Sequence, residues 1–188
     1  MASEHRPDDA DYYENRLQLF SQGDIFHDVP LAYPLPADEI VEDEDESYGN
    51  RRFLSGPFEV GLAMLVTPTC SMRAQGAPDR YAHPVRTLVP LRPFEDLVEA
   101  GLLDDSKSGL ARKRDSLINY MYLPESEELG LSESLALLYM PVTLHHEFLE
   151  GQRVTQLAVE GARQLHRKLV WFSSSLLLDR ATFEPPLD

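Results

Sequence analysis

Three small polar side chains, Thr69, Cys70 and Ser71, follow directly on an apolar run that ends Met64-Leu65-Val66-Thr67-Pro68. A thiol or hydroxyl delivered at the end of a buried strand suits nucleophilic chemistry, provided a base lies within hydrogen-bond reach and the thiol pKa is depressed. Cys70 is the candidate nucleophile, and His83, His145 and His146 are the available bases. A second expectation competes with this one. Free cysteines are among the most buried residue types, so packing in the core is the default place for Cys70.

His145-His146-Glu147 has the residue types of a metal site but not the spacing. Neighbouring helix residues point about 100° apart, and there is no His-x-x-x-His pair to bring two imidazoles together. His146 and Glu150, four apart, are expected to form a surface pair. Zinc needs three or four converging ligands, so no metal is expected. The chain also lacks a glycine-rich phosphate loop, a serine nucleophile elbow and a dinucleotide fingerprint, and no cofactor is expected.

The formal net charge is −15 over 188 residues, with 17 Lys and Arg against 32 Asp and Glu. A phosphate backbone binds through clustered Lys and Arg, so the chain as a whole repels nucleic acid. The basic concentrations are Arg112-Lys113-Arg114 and the set Arg163, Arg167 and Lys168. Asp38 to Glu46 holds seven carboxylates in nine residues and reads as a solvated loop able to engage a basic partner. Distance from zero charge also simply keeps a protein soluble.

The elements that position these groups follow from periodicity. Glu59 to Met72 is expected to be a buried central strand ending in a loop at Thr69. Gln22 to Pro30 is a strand with Ile25, His27 and Val29 on one face. Val85 to Leu91, Leu117 to Leu123 and Ser134 to Val142 are further strands, the last two forming a hairpin. Helices are expected over Asp11 to Phe20, Phe94 to Leu103 and Leu144 to Glu150. A long one, capped by Thr155, follows with Leu157, Gly161, Leu165, Leu169, Phe172 and Leu176 as its apolar stripe and Glu160, Arg163, Gln164, Arg167 and Lys168 opposite. Residues 73–79 form a loop. One domain is expected over 21–180, preceded by an acidic arm (1–20) and followed by a loose tail (181–188).

The 43% apolar and 26% charged composition is that of a soluble globular protein, and no apolar run approaches the roughly 20 residues needed to cross a bilayer. The first residues lack a secretion signal and a single cysteine allows no internal disulfide, so a cytoplasmic protein is expected.

Gly23-Asp24-Ile25-Phe26, Met64-Leu65-Val66-Thr67-Pro68 and Thr87-Leu88-Val89-Pro90-Leu91 together resemble the barrel strands of the MazF/PemK-type toxins. Gly23 to Ile25, Thr69-Cys70-Ser71, Tyr122-Leu123-Pro124 and the closing helix also resemble a group of uncharacterised bacterial proteins. The resemblance implies an α+β fold, an SH3-like β-barrel of about five or six strands with a long C-terminal helix. In the toxins an arginine before the second long strand and a threonine after the Val-Pro segment act on RNA. Here Gly61-Leu62 and Arg92 stand at those positions, with Arg51 or Arg52 as the substitutes available.

With no complete catalytic set, the leading expectation is a non-catalytic interaction module of a bacterial assembly or conflict system, with a protein partner or a second copy as its ligand. Its candidate contacts are Tyr33 and Leu35 in a proline-rich stretch, Glu42, Asp43, Glu44 and Asp45 in the acidic run, and Tyr13, Leu17 and Phe20 near the N-terminus. The first and last of these sets are equally suited to packing on their own barrel. The other expectations are a divergent MazF-like endoribonuclease, a thiol-dependent enzyme using Cys70, and nucleic-acid mimicry by the acidic loops.

Overall fold

In the computed structural model, the chain is described over residues 12–14, 19–32, 41–43, 53–55, 58–103, 111–112 and 117–183, with backbone alone for 32, 41–43, 53–55, 77–79 and 175–183. An eight-stranded antiparallel sheet curls into half a barrel, with a long C-terminal helix. Its strands are β1 (Tyr13–Glu14), β2 (Asp24–Ala32), β5 (Phe58–Leu65), β8 (Val85–Pro93), β9 (Tyr120–Leu123), β10 (Ser134–Leu137), β11 (Val142–His145) and β12 (Arg153–Leu157). Seven of them run in the order β1-β12-β2-β5-β8-β10-β9, while β11 pairs with the first half of β8. The expected five or six strands are therefore exceeded, and among the described residues β1 and β9 do not pair to close the barrel. Two small ladders lie outside the sheet: β3 (Val41–Asp43) with β4 (Phe53–Ser55), and β6 (Arg73–Ala74) with β7 (Ala77–Tyr81).

β5 is interior, between β2 and β8, because both of its faces can be buried. Met64 lines up with Ile25 and Val89 on one face and packs with Leu157 and Leu165; Ala63 and Leu65 point the other way, against Phe26, Leu88 and Leu149. Cover on both faces explains the unbroken apolar run, which an alternating half-buried strand would not have. Only the second half of the strand is covered, and Phe58 and Val60 remain exposed.

Several expectations are corrected. Tyr13 and Glu14 pair with Leu157 and Gln156 as a strand, where a helix was expected. Both Tyr12 and Tyr13 are buried, and a two-residue strand satisfies the backbone at the sheet edge while docking them. His27 is exposed while Ile25 and Val29 are buried. A bulge between Phe26 and Val29, with Asp28 at φ 54, breaks the period of two. Thr69–Met72 is a helical turn, α1, and 73–81 is a hairpin where a loop was expected over 73–79. Val142–His145 is a strand, and a 3-10 turn replaces most of the helix expected over 144–150. Part of the acidic run, Val41–Asp43, is strand paired with Phe53–Ser55.

Helix α2 (Phe94–Glu99) follows β8 directly. Helix α3 (Val159–Phe183) begins after β12, so Thr155 is a strand residue and does not cap it. Gly161 lets α3 approach the sheet: a Cβ there would lie 3.2 Å from Leu157 Cβ and 3.3 Å from the Tyr12 ring. Gln164 and Lys168, expected on the solvent face, are buried. The Tyr12 hydroxyl lies 2.7 Å from Gln164 Oε1, and Lys168 Nζ donates to the Leu117 carbonyl at 2.7 Å. Both long side chains thus satisfy polar groups where helix and sheet meet.

Candidate functional site

The groups capable of chemistry gather at one end of the sheet, where β5 leaves it. Gln22 holds this end together: its N–H donates to Thr69 Oγ1 at 3.0 Å and its side-chain amide to the Val66 carbonyl at 2.8 Å. Thr67 Oγ1 accepts the Thr87 N–H at 2.7 Å, and Ser71 Oγ donates to the Pro68 carbonyl at 2.8 Å. The Ala82 N–H reaches the Met72 carbonyl at 2.7 Å, which sets the loop carrying His83 beside α1.

Cys70 is exposed, not packed in the core, because α1 turns it outward while Met72 fills the interior. Among the described residues no hydrogen bond joins its thiol to an imidazole. His83 is also exposed, and its carbonyl, not its ring, is the group in use. Thr69 and Ser71 serve the backbone of the turn. The two residues of the expected thiol pair thus share one end of the molecule without forming a dyad.

His145 and His146 stack with ring centroids 4.8 Å apart, because one ends β11 and the other opens the 3-10 turn; they do not diverge as two helix residues would. His146 Nε2 lies 3.8 Å from Glu150 and His145 Nδ1 3.4 Å from Glu147. Among the described residues no group of three or more His, Cys, Asp or Glu is placed to hold a metal ion.

Two buried charges at this end were not singled out from the sequence. Asp24 is fully buried; its Oδ2 accepts the Ser21 N–H at 2.9 Å and lies 3.3 Å from Arg153 Nη1. Its Oδ1, Ser21 Oγ and Gln156 Oε1 are buried without a hydrogen-bond partner among the described residues. Burial raises the Asp24 pKa to about 6, partly opposed by the Ser21 bond and by the charge and hydrogen bond of Arg153. Arg86 is the second, a guanidinium at the inner end of β8 with its Cζ 4.5 Å from the centre of the Tyr81 ring. The available signal was a charge at position i−2 from the buried Leu88, on the same strand face.

Arg92, where the toxin resemblance has a threonine, is held by both oxygens of Glu59 at 2.5 and 2.7 Å. Arg112 grips Glu133 through Nε and Nη2 at 2.7 and 3.0 Å, and Tyr122 donates to the same carboxylate. Arg51, Arg52, Tyr33, Leu35, Leu17, Glu44 and Asp45 lie outside the described residues, and of Glu42 and Asp43 only the backbone is described. Tyr13 and Phe20 are core residues: Tyr13 donates to the Pro124 carbonyl at 2.6 Å, and Phe20 packs edge-on to Phe26. Of the two fates open to the N-terminal aromatics, these two have the inward one.

No protein-family model and no curated protein matches this chain.

A second surface lies on the outer face of α3. Val159, Arg163, His166, Arg167, Val170 and Trp171 are exposed along it. An open groove of about 690 Å³ runs past its first turns, between Val159 and Arg167. Arg163 and Arg167 each lie 3.8 Å from Glu160, long and exposed contacts of the kind that add little. No helix among the described residues is long and apolar enough to cross a membrane.

Proposed function

We propose that this chain is a non-catalytic interaction module whose α3 face takes an acidic segment of a partner protein. The resemblance to MazF/PemK-like barrels suggests a bacterial assembly or conflict system as its setting. The carrying observation is the outer stripe of α3: Arg163 and Arg167, loosely shared by the one carboxylate of Glu160, stand among apolar Val159, Ala162, Val170 and Trp171. Two arginines on one exposed helix face stand out in a chain of net charge −15 and complement a negative partner. Tryptophan and arginine are both among the residue types enriched at interaction hot spots.

Trp171 is the sole tryptophan and therefore an internal reporter of this surface. Its emission is to be followed while a peptide of the chain's own acidic sequence, residues 38–46, is added as a generic acidic and apolar ligand. A saturable blue shift that weakens with salt is expected. Unchanged emission up to millimolar peptide contradicts the proposal.

A ribonuclease function, carried by the toxin resemblance, has less behind it. Arg92, at the position of the family's threonine, is already paired with Glu59.

A further inference from the structure

Arg86 has no solvent exposure, yet among the described residues its hydrogen bonds go only to backbone carbonyls. Nη1 donates to the carbonyls of His83 at 2.5 Å and Val85 at 2.8 Å. Nε and Nη2 are buried with no partner among the described residues. These two atoms form the side-on edge of the guanidinium, whose parallel N–H bonds match two oxygens of one anion. Arg112 shows the same edge in use, with Nε and Nη2 on the two oxygens of Glu133. In Arg86 the edge is empty as a unit.

A cation buried without a counter-charge is among the most costly arrangements in a folded protein. The Tyr81 ring face offsets only part of that cost. The Tyr81 hydroxyl accepts the Phe20 N–H at 2.9 Å, and burial pushes Arg86 below the ordinary arginine pKa. In the turn that follows Leu144, the cross-strand partner of Arg86, Glu147 and Glu150 face His145 and His146. The immediate surroundings are apolar Leu144 across the strand pair and the aromatic and imidazole rings beside it. The His146 ring packs 5.2 Å from that of Tyr81, and His145 stacks on His146. Ala82, His83 and Pro84 form the exposed loop above, anchored by the His146 N–H to the Pro84 carbonyl at 2.7 Å.

We propose that Arg86 is the floor of an oxyanion site for a phosphate group, covered by the Ala82–Pro84 loop. The phosphate takes the Nε–Nη2 edge once the Ala82–Pro84 loop moves aside, and His83 stands in that loop as a further donor. The Nη1 bonds to the His83 and Val85 carbonyls need not break. A phosphate fits better than a carboxylate because, with two oxygens on the fork, it keeps a third for the His83 ring. Nothing in this site depends on the α3 face.

The test is thermal unfolding of the full chain in inorganic phosphate against sodium chloride of equal ionic strength, with sodium acetate as the carboxylate arm. Wild type is expected to gain roughly 5 °C when phosphate is about 100-fold above its Kd. Arg86→Met and Arg86→Lys, the second keeping the charge without the fork, are expected to lose the gain. No shift with phosphate, the same shift in Arg86→Lys, or an equal shift with acetate overturns the proposal. If Arg86→Met does not fold, Arg86→Lys and broadening of the 31P phosphate signal by wild type decide the matter. A linewidth no greater than with Arg86→Lys overturns it.

Discussion

Asp24 and Arg153 meet across β2 and β12 at 3.3 Å, with the carboxylate fully buried and one of its oxygens unpaired. The guanidinium does not outweigh desolvation, and the pKa stands at about 6 against an ordinary 3.8. A raised carboxyl pKa means that the folded state holds the proton more tightly than the unfolded chain. Its stabilising contribution is therefore full below pH 3.8 and is lost as pH rises through about 6.

Comparison of wild type with Asp24→Asn by urea unfolding isolates this effect from the many exposed carboxylates. Asn keeps the shape and cannot ionise. The variant should gain on wild type by up to about 3 kcal/mol between pH 4 and pH 7. A difference independent of pH would mean that Asp24 is not buried as described.

Strand β5 should respond unequally along its length. Met64→Ala empties a site packed on both sides and should cost about 2–5 kcal/mol in chemical unfolding. Phe58→Ala, at the exposed end, should cost less than about 0.5 kcal/mol. Similar costs at the two positions would remove β5 from the interior of the sheet.

Gly161→Ala tests the close approach of α3. Alanine favours a helix over glycine by about 1 kcal/mol, but the new methyl would meet Leu157 Cβ at 3.2 Å. That atom sits next to backbone and cannot swing away, so the substitution should destabilise. Gly23→Ala should be worse, because Gly23 has φ +95 and faces Leu157 as well. A more stable Gly161→Ala protein would contradict the packing of α3 on β12.

Cys70 should react with a thiol reagent in the native protein at nearly the rate seen in denaturant, and Cys70→Ser should leave stability within about 0.5 kcal/mol of wild type. Protection of the thiol would return it to the core.

The hairpin of β9 and β10, the central place of β5 and the closing helix were legible because period and turn chemistry are local properties. What escaped depends on distant partners. Tyr13 looked helical through its spacing to Leu17 and Phe20, and only β12 makes it a strand. Lys168 and Gln164 looked solvated by residue type, yet a tyrosine hydroxyl and a backbone carbonyl far along the chain bring them inside. Asp28 broke the face pattern of β2 through a backbone conformation that no side-chain period reveals. Of the site, the position of Thr69 and Cys70 at the end of β5 was readable. The buried Arg86 and Asp24 were not, since burial of a charge belongs to the whole fold.

On the proposed function, α3 receives a negative partner through Arg163 and Arg167. The most direct measurement is the Kd of the residue 38–46 peptide for wild type and for Arg163→Glu/Arg167→Glu, read from Trp171 emission. Reversal of two exposed charges should weaken binding by about 10-fold or more at low salt, with the gap narrowing as salt rises. Equal affinities for the two proteins would rule out Arg163 and Arg167 as the binding surface.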